Sequence, residues 1–131
     1  MHVTSRLVNG LAFENEIREF TVLMDGNADV APSPPELVVG ALASCVGIYA
    51  ASYCQKHGIA TEGMVVHADW EKAVNPGRIG KIAISIDLPA GIPEEKFPSF
   101  MRTVEQCMVQ NTFNYPPAVT MTLNGAVLEV K

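Results

Sequence analysis

The stretch that decides the fold is SPPELVVGALASCVGIYAASYCQKHG, residues 33–58. Ser33 is a typical helix N-cap, and the two prolines after it fill positions where no backbone donor is needed. Glu36 is placed to reach back to the N–H of Ser33. Gly58 is typical of the left-handed residue that ends a helix. The stretch therefore predicts one long helix that ends near His57.

The uncharged centre of this helix, Leu37 to Cys54, touches the lower length limit of a membrane span. Many of its residues are small and only weakly apolar, and no Lys/Arg cluster flanks it as membrane spans usually require. A helix buried on all sides in a globular domain, with no membrane partner, is the better interpretation. A stripe of small residues allows a very close approach by another element of the chain or by a second copy: Gly40, Ser44, Gly47 and Ala51.

Strand patterns flank the helix on both sides. Asn9-Gly10 is a strong hairpin dipeptide, and apolar residues alternate along two runs around Asn75-Pro76-Gly77. A second helix is predicted at Pro98–Cys107. The predicted strands are residues 2–8, 11–14, 19–24, 64–70, 82–88, 119–123 and 126–130. This order of elements predicts a single α+β domain, residues 1–131, with antiparallel sheets.

Composition narrows the class of protein. The chain has 131 residues, of which 48% are apolar and 18% charged, with a net charge of −5. This apolar surplus excludes a disordered chain and favours some surface buried against a partner. Lys and Arg form no basic run, so neither nucleic acid nor an anionic membrane is expected as a partner. The first residues show no secretory signal, which predicts a cytoplasmic protein.

The spacing of the three cysteines limits their pairing. Cys45 and Cys54 lie nine residues apart on one helix, which places them on opposite faces and ~13.5 Å apart along the axis. They cannot form a disulfide within one chain. Cys107, on a different helix, is the residue that could meet Cys45. Cys54 is then a packing residue.

Cys45 has two interpretations at this point. An inert buried thiol is common, because free cysteine is among the most buried residue types. A reactive thiol would need a nearby cation, because apolar surroundings raise its pKa. No Lys or Arg lies within two helical turns of Cys45, so the cation would come from another element or a second chain. The candidates are Arg18, Arg6 and Arg102.

Other kinds of site find little support in the sequence. Glu36 lies nine positions before Cys45 and on the far face of the helix, so its capping role is sufficient. No Cys/His spacing resembles a zinc site. No phosphate-binding glycine loop and no Gly-x-Ser-x-Gly nucleophile motif is present. The sequence therefore predicts neither a metal nor a cofactor.

Two motifs carry a resemblance to a known family. Residues 32–45, PSPPELVVGALASC, resemble the "P-x-E-L … A-L-x-S-C" helix of the OsmC/Ohr proteins, the osmotically inducible and organic hydroperoxide resistance proteins. Residues 107–112, CMVQNT, resemble the second cysteine motif of that family. The hairpin between the helices and the terminal strands fall in family order as well. The resemblance covers nearly the whole chain.

This resemblance implies an OsmC-like fold, in which antiparallel sheets surround two long central helices in an intertwined homodimer. It also implies a thiol peroxidase that reduces organic hydroperoxides and is recycled by a dithiol reductant. Cys45 would be the peroxidatic cysteine and Cys107 the resolving one. Arg18 and Glu36 are the best matches to the Arg and Glu that polarise such sites, although Glu36 stands one position later than the acid of the family.

Three functions follow from these observations. The first is a hydroperoxide reductase for small apolar peroxides. The second is a dimer that binds a small apolar ligand and has only incidental cysteines. The third is a redox sensor, whose oxidation changes a contact with a partner.

Overall fold

The computed structural model describes residues 1–128 and has an α+β architecture. Three antiparallel sheets, of orders β1-β2-β3, β4-β5 and β6-β7, accompany three helices. The prediction of antiparallel sheets is confirmed. The last predicted strand, residues 126–130, extends beyond the residues that the structure describes. The elements are β1 Val3–Asn9, β2 Ala12–Ile17, β3 Phe20–Asp25, α1 Pro34–Lys56, β4 Val65–Ala73, β5 Arg78–Asp87, α2 Phe97–Val104, α3 Met108–Asn114, β6 Met121–Leu123 and β7 Ala126–Leu128.

Helix α1 has the ends that the sequence predicts. The carboxylate of Glu36 accepts hydrogen bonds from the N–H and the hydroxyl of Ser33, at 2.9 and 2.8 Å. At the other end, Gly58 has a φ of +66°, in the left-handed region that a side chain would disfavour. The N–H of Ile59 then returns to the carbonyl of Cys54. Local capping therefore fixes both ends of α1.

Helix α1 has the length and hydropathy of a membrane span, but it lies at the centre of the fold. It packs on β4, β5, α2 and α3. Its buried residues lie along one side only: Val39, Leu42, Val46, Ala50, Tyr53 and Cys54. The expectation of a helix buried on all sides is therefore wrong for a single chain. Ile48, on the opposite side, is 67% exposed, because the chain supplies packing partners on one side only.

The β4–β5 hairpin covers the inner side of α1. Its register pairs Val66 with Ile86, Ala68 with Ile84 and Trp70 with Ile82. These alternate residues are half-buried, and several of them pack on the core of α1 and α2. A Cβ atom added to Gly47 would lie 3.2 Å from the Cγ2 atom of Val66, which is a tight contact. A Cβ atom added to Gly40 would have no neighbouring atom within 4 Å in the described chain. The small-residue stripe is therefore partly an internal contact and partly open.

The second predicted helix, Pro98–Cys107, is found as α2, and a further helix, α3, follows it that the sequence did not predict. Helix α2 ends at Val104, and α3 begins at Met108. Between them Cys107 has φ −54° and ψ 124°, so the chain is extended there and a continuous helix is excluded. Residues 1–128 thus contain three α-helices, with Cys107 as the N-cap of α3, and the arrangement of two central helices in a dimer stays a prediction.

The N-terminal sheet stands apart from the rest of the described chain. Its strands β1, β2 and β3 pack on one another, and none packs substantially against α1, β4 or β5. One face is apolar, because the register aligns Leu7 with Phe13 and Phe13 with Met24. Leu7 is 60% exposed. An apolar sheet face is thus left uncovered within a single chain.

Candidate active site

Cys45 lies at the boundary between the buried and open sides of α1. Successive helix residues turn by about 100°, which places Cys45 between buried Leu42 and Val46 on one side and exposed Ala41 and Ile48 on the other. Its side chain is partly buried and packs against the core. A small molecule can therefore approach its sulfur from the open side.

Cys107 is fully buried, directly before α3. Its N–H donates to the carbonyl of Val104, and its own carbonyl accepts from the N–H of Asn111. These backbone bonds join the end of α2 to the start of α3 and fix the direction of the Cys107 side chain. Because α2 and α3 both pack on α1, the side chain meets that helix.

The structure brings Cys45 and Cys107 together. The side chain of Cys107 and the backbone N–H groups of Met108 and Val109 lie near enough to the Cys45 sulfur to lower the pKa of its thiol. Both thiols are free in the structure. The two cysteines are thus neighbours in the fold, and each shifts the pKa of the other.

These groups lower the pKa of the Cys45 thiol. Burial raises the pKa of the Cys45 thiol, but the hydrogen bonds from Cys107, Val109 and Met108 together outweigh burial and hold that pKa below its ordinary value. A hydrogen bond to a charged group is worth more than one to a neutral group, so each donor favours the thiolate. Cys45 is therefore the more acidic member of the pair.

Cys107 has the opposite character. Burial raises the pKa of the Cys107 thiol, and the hydrogen bond to Cys45 and the negative charge there raise it further. The N–H groups of Gln110 and Val109 oppose this rise only in part. Cys107 is thus the less acidic member of the pair, and Cys45 is the one that loses its proton at the lower pH.

Cys54 lies away from this pair. It is fully buried in the core, and burial raises the pKa of its thiol. No donor offsets this effect among the causes that act on it in the described part of the chain. The location agrees with the packing role that the sequence predicts.

Sequence reasoning expected a cation beside Cys45, and within residues 1–128 of one chain the side chain of Cys107 and two backbone N–H groups act on it instead. Arg18 lies in the β2–β3 turn, where its guanidinium is 4.0 Å from Glu19 and 5.2 Å from the Phe20 ring. Arg6 pairs with Glu16. No sequence pattern could indicate the N–H groups of Met108 and Val109, because a backbone donor can belong to any residue type.

Glu36 is engaged at the beginning of α1. The N–H and hydroxyl of Ser33 lower the pKa of Glu36, burial opposes them, and the charge of Lys72 lowers it further. The structure does not bring Glu36 to the cysteine pair within one chain. Its capping role is present in the structure, and its catalytic role stays a prediction.

An apolar groove lies on the inner side of α1, and neither cysteine of the pair lines it. It has a volume of about 580 Å³ between β5 and α2, with Val46 and Gln110 in its wall. A second groove of about 330 Å³ shares Gln110 and includes Leu42. Val46 and Leu42 are neighbours of Cys45 in α1, and the lining of the second groove likewise contains neither cysteine. No group of three potential metal ligands occurs in residues 1–128.

Comparison with solved structures shows the same fold in proteins of low sequence identity. An osmotic stress induced and detoxification response protein of Psychrobacter arcticus 273-4 is 19% identical, with a TM-score of 0.75 over 84% of this chain and 85% of that one. An OsmC like protein of Mycoplasma pneumoniae is 16% identical, with a TM-score of 0.73 over 86% of both chains. The organic hydroperoxide resistance protein OhrB of Bacillus subtilis is 17% identical, with a TM-score of 0.58 over 85% of this chain and 88% of that one.

Sequence comparison identifies the family. No curated protein matches the sequence. The family model described as OsmC-like protein matches residues 25–122, a range that contains α1, both cysteines of the pair and the segment that joins α2 to α3. The sequence match and the shared fold agree, and the chain belongs to the OsmC-like protein family.

Proposed function

We propose that this protein is a cysteine-based reductase of organic hydroperoxides that acts as a homodimer in oxidative-stress defence. Cys45 is the peroxidatic cysteine, Cys107 is the resolving cysteine, and a dithiol recycles the enzyme. The proximity of the two thiols, with the lowered pKa of Cys45 and the raised pKa of Cys107, carries this proposal. The name of the Bacillus subtilis neighbour, an organic hydroperoxide resistance protein, points in the same direction.

The chemistry follows from the different protonation of the two thiols. The Cys45 thiolate attacks the outer oxygen of the hydroperoxide, the O–O bond breaks, and Cys45 becomes a sulfenic acid while the substrate leaves as an alcohol. The Cys107 sulfur then attacks the sulfenic sulfur and forms a disulfide, with loss of water. The two thiols are near enough to shift each other's pKa, which supports their pairing in this step.

Two uncovered apolar surfaces support the homodimer. One is the open side of α1, where Ile48 is 67% exposed. The other is the apolar face of the N-terminal sheet, which includes Leu7 and Phe13. Soluble monomers rarely leave such faces bare, and homo-oligomers bury them in symmetric interfaces. A second copy on the open side of α1 would also enclose the approach to Cys45.

The apolar groove on the inner side of α1 favours small apolar peroxides as substrates. The larger groove is lined mainly by Ile, Leu, Val and Phe side chains from β5 and α2. Such a wall stabilises the hydrocarbon part of a substrate and gives a hydrogen peroxide molecule little to bind. We therefore expect cumene or tert-butyl hydroperoxide to react faster than hydrogen peroxide.

Thiol counting with peptide mapping tests the proposal. Reduced protein is mixed with one equivalent of cumene hydroperoxide, and its free thiols are counted before and after. We expect two thiols to be lost and the Cys45 and Cys107 peptides to be joined by a disulfide. Cys54→Ala is the matched control, because it removes the third thiol and should leave the result unchanged.

Two results would contradict the reductase. In the first, all three thiols survive the peroxide. In the second, oxidation occurs but leaves Cys107 unpaired. In the variant Cys45→Ser, the disulfide should not form and the reaction with cumene hydroperoxide should fall to the background rate.

The size and apolar lining of the larger groove also favour a second candidate, a dimer that binds a small apolar ligand without redox chemistry. In that case Cys45→Ser would bind an apolar fluorescent probe as tightly as the wild type does. The thiol count would then stay at three after treatment with peroxide.

A further inference from the structure

A separate apolar pocket lies at the turn end of the β4–β5 hairpin, next to the start of α1. It has a volume of about 330 Å³, and Trp70 of β4, Ile79 of β5 and Pro35 of α1 line it. Lys72 and Arg78 line it as well, whereas no cysteine does. This Trp70 pocket is at the lower end of the size range of small-molecule sites, roughly 300–1,000 Å³.

A β-bulge in β5 shapes the wall of the Trp70 pocket. The register pairs Trp70 with Ile82, and two residues along β4 it pairs Lys72 with a residue three positions away on β5, Ile79. Because side chains alternate along a regular strand, the one extra residue turns Ile79 to the same face as Ile82. The extra residue is Gly80, where an added Cβ atom would lie only 2.5 Å from a side-chain atom of β4. The bulge thus brings an apolar side chain beside Trp70 and Lys72.

The β4–β5 turn holds the guanidinium group of Arg78 in place. Its Nη1 donates hydrogen bonds to the carbonyls of Pro76 and Val74, at 2.9 and 3.3 Å. Both bonds use Nη1, and a guanidinium has five N–H donors in a planar fork, so Nη2 and Nε can bind a ligand. An arginine that is already fixed loses little conformational freedom when a ligand binds.

Lys72 and Arg78 place two positive charges at the Trp70 pocket of a protein whose net charge is −5. The ion pairs found in residues 1–128 join other side chains, so no carboxylate of this range lies within 4.0 Å of either cation. Glu36 is near enough for the charge of Lys72 to lower its pKa, but its carboxylate accepts the hydrogen bonds of Ser33. The charges of the pocket therefore complement an anionic ligand.

We propose that the Trp70 pocket binds a small aromatic carboxylate, with the ring against Trp70 and the carboxylate at Arg78 and Lys72. Binding is reversible and involves no covalent step. The pocket is distinct from the cysteine pair, so this proposal does not depend on the reductase function.

Both parts of such a ligand have a partner in the pocket. Aromatic rings stack on an indole in offset or edge-on arrangements, which adds to the free energy of apolar burial. Arginine binds a planar carboxylate through two parallel N–H bonds, and lysine adds a point charge. An apolar wall that excludes water strengthens these interactions. An inorganic anion lacks the apolar part, and a neutral hydrocarbon leaves the two cations without a partner.

Benzoate is the probe, with benzamide as its neutral isostere and acetate as the anion without a ring. Calorimetric titration of the full chain measures the dissociation constant. Trp70 is the only tryptophan, so a change in tryptophan fluorescence locates the ligand at this pocket. We expect benzoate to bind with a Kd of about 1 mM or below. The other two compounds should bind at least about tenfold more weakly, because each lacks one of the two parts.

Substitutions of the cations test the role of charge. Lys72→Gln and Arg78→Gln should each raise the Kd for benzoate about tenfold, which is typical of a lost charge-assisted hydrogen bond. Lys81→Gln is the matched control, because Lys81 is a nearby cation of β5 that does not line the pocket, and it should bind benzoate as the wild type does. Circular dichroism checks the fold of each variant. If Arg78→Gln disturbs the turn, Lys72→Gln still tests the charge, because Lys72 makes no side-chain bond to the turn.

Three results would overturn the proposal. In the first, benzoate changes neither the heat of titration nor the fluorescence of Trp70. In the second, benzamide binds as tightly as benzoate, or Lys72→Gln binds benzoate as tightly as the wild type does. In the third, benzoate binds only after Ile48→Glu has separated the proposed dimer, which would show that a second copy fills the pocket. Survival of all three thiols in peroxide would refute the reductase and leave these outcomes unchanged.

Discussion

Cys45 and Cys107 are neighbours whose thiols shift each other's pKa in opposite directions, and this difference gives the two cysteines different tasks. The pKa of Cys45 is lowered, whereas that of Cys107 is raised. Cys45 should therefore react first with any electrophile that reaches the pair. The order of the two steps is thus present in the reduced protein before any substrate binds.

Removal of one backbone donor should make the Cys45 thiol less acidic and therefore less reactive. Met108→Pro deletes the N–H directed at Cys45, and the fold should tolerate it, because Met108 is the first residue of α3 and Cys107 before it is extended. We expect a higher pKa for the Cys45 thiol and an alkylation rate at pH 7 about tenfold lower, the effect of one charge-assisted hydrogen bond. Iodoacetamide alkylation across a pH series measures both.

Met108→Ala is the control for this change, since it removes the side chain and keeps the N–H. It should alkylate at the wild-type rate. Equal rates for the proline and alanine variants would show that this N–H does not contribute to the reactivity of Cys45.

Asp25 should make stability depend on pH. The N–H groups of Asn27 and Val30 lower the pKa of Asp25, burial opposes them, and the N–H of Asp29 lowers it further. The pKa is thus lower in the folded than in the unfolded chain. The carboxylate therefore stabilises the fold above the unfolded pKa of about 4, and this effect is lost as the pH falls through the folded pKa.

We expect Asp25→Asn to lower the Tm by several degrees at pH 7, with a smaller difference from wild type at pH 3. Thermal unfolding followed by circular dichroism measures this difference. Asp29→Asn is the control, because Asp29 donates its backbone N–H to the Asp25 carboxylate and this bond does not involve the Asp29 side chain. A Tm difference that is the same at both pH values would contradict the contribution assigned to the ionised Asp25.

A charge on the open side of α1 should separate the dimer. Ile48→Glu places a carboxylate where we expect the second copy, and an unpaired buried charge costs several kcal/mol. The dissociation constant should rise by at least about a hundredfold, as measured by sedimentation. Val74→Glu, a similar change in the exposed β4–β5 turn, should leave the dimer intact. A wild-type protein that is monomeric at high concentration would refute the homodimer.

Arg18 should affect Cys45 only through a second copy. In its own chain it lies beside Glu19 and Phe20, on a sheet that packs little on α1. We expect Arg18→Met to slow peroxide oxidation of Cys45 about tenfold, the effect of about 1.4 kcal/mol on the barrier. The same substitution should have no effect in the Ile48→Glu background.

Arg6→Met is the matched control on the same sheet, where Arg6 pairs with Glu16. It should oxidise at the wild-type rate. An unchanged rate in Arg18→Met would remove Arg18 from the site, and the roles of Cys45 and Cys107 would be unaffected.

Local patterns in the sequence were enough to predict much of the fold. Ser33, Glu36 and Gly58 act on backbone atoms within a few residues, so the ends of α1 follow from them. The strict alternation of isoleucines from Ile82 predicts the inner face of β5, because side chains alternate along any strand. The cysteine motifs predicted the family, which the match over residues 25–122 confirms.

Only the tertiary structure decided how the cysteine pair is built. The break between α2 and α3 at Cys107 has no proline or glycine to mark it. The contact of Cys107 with Cys45 depends on how three helices pack, and the donors from Met108 and Val109 are backbone groups that no residue type reveals. Sequence patterns encode local conformation and burial, whereas the protonation of a thiol depends on atoms that come from distant parts of the chain.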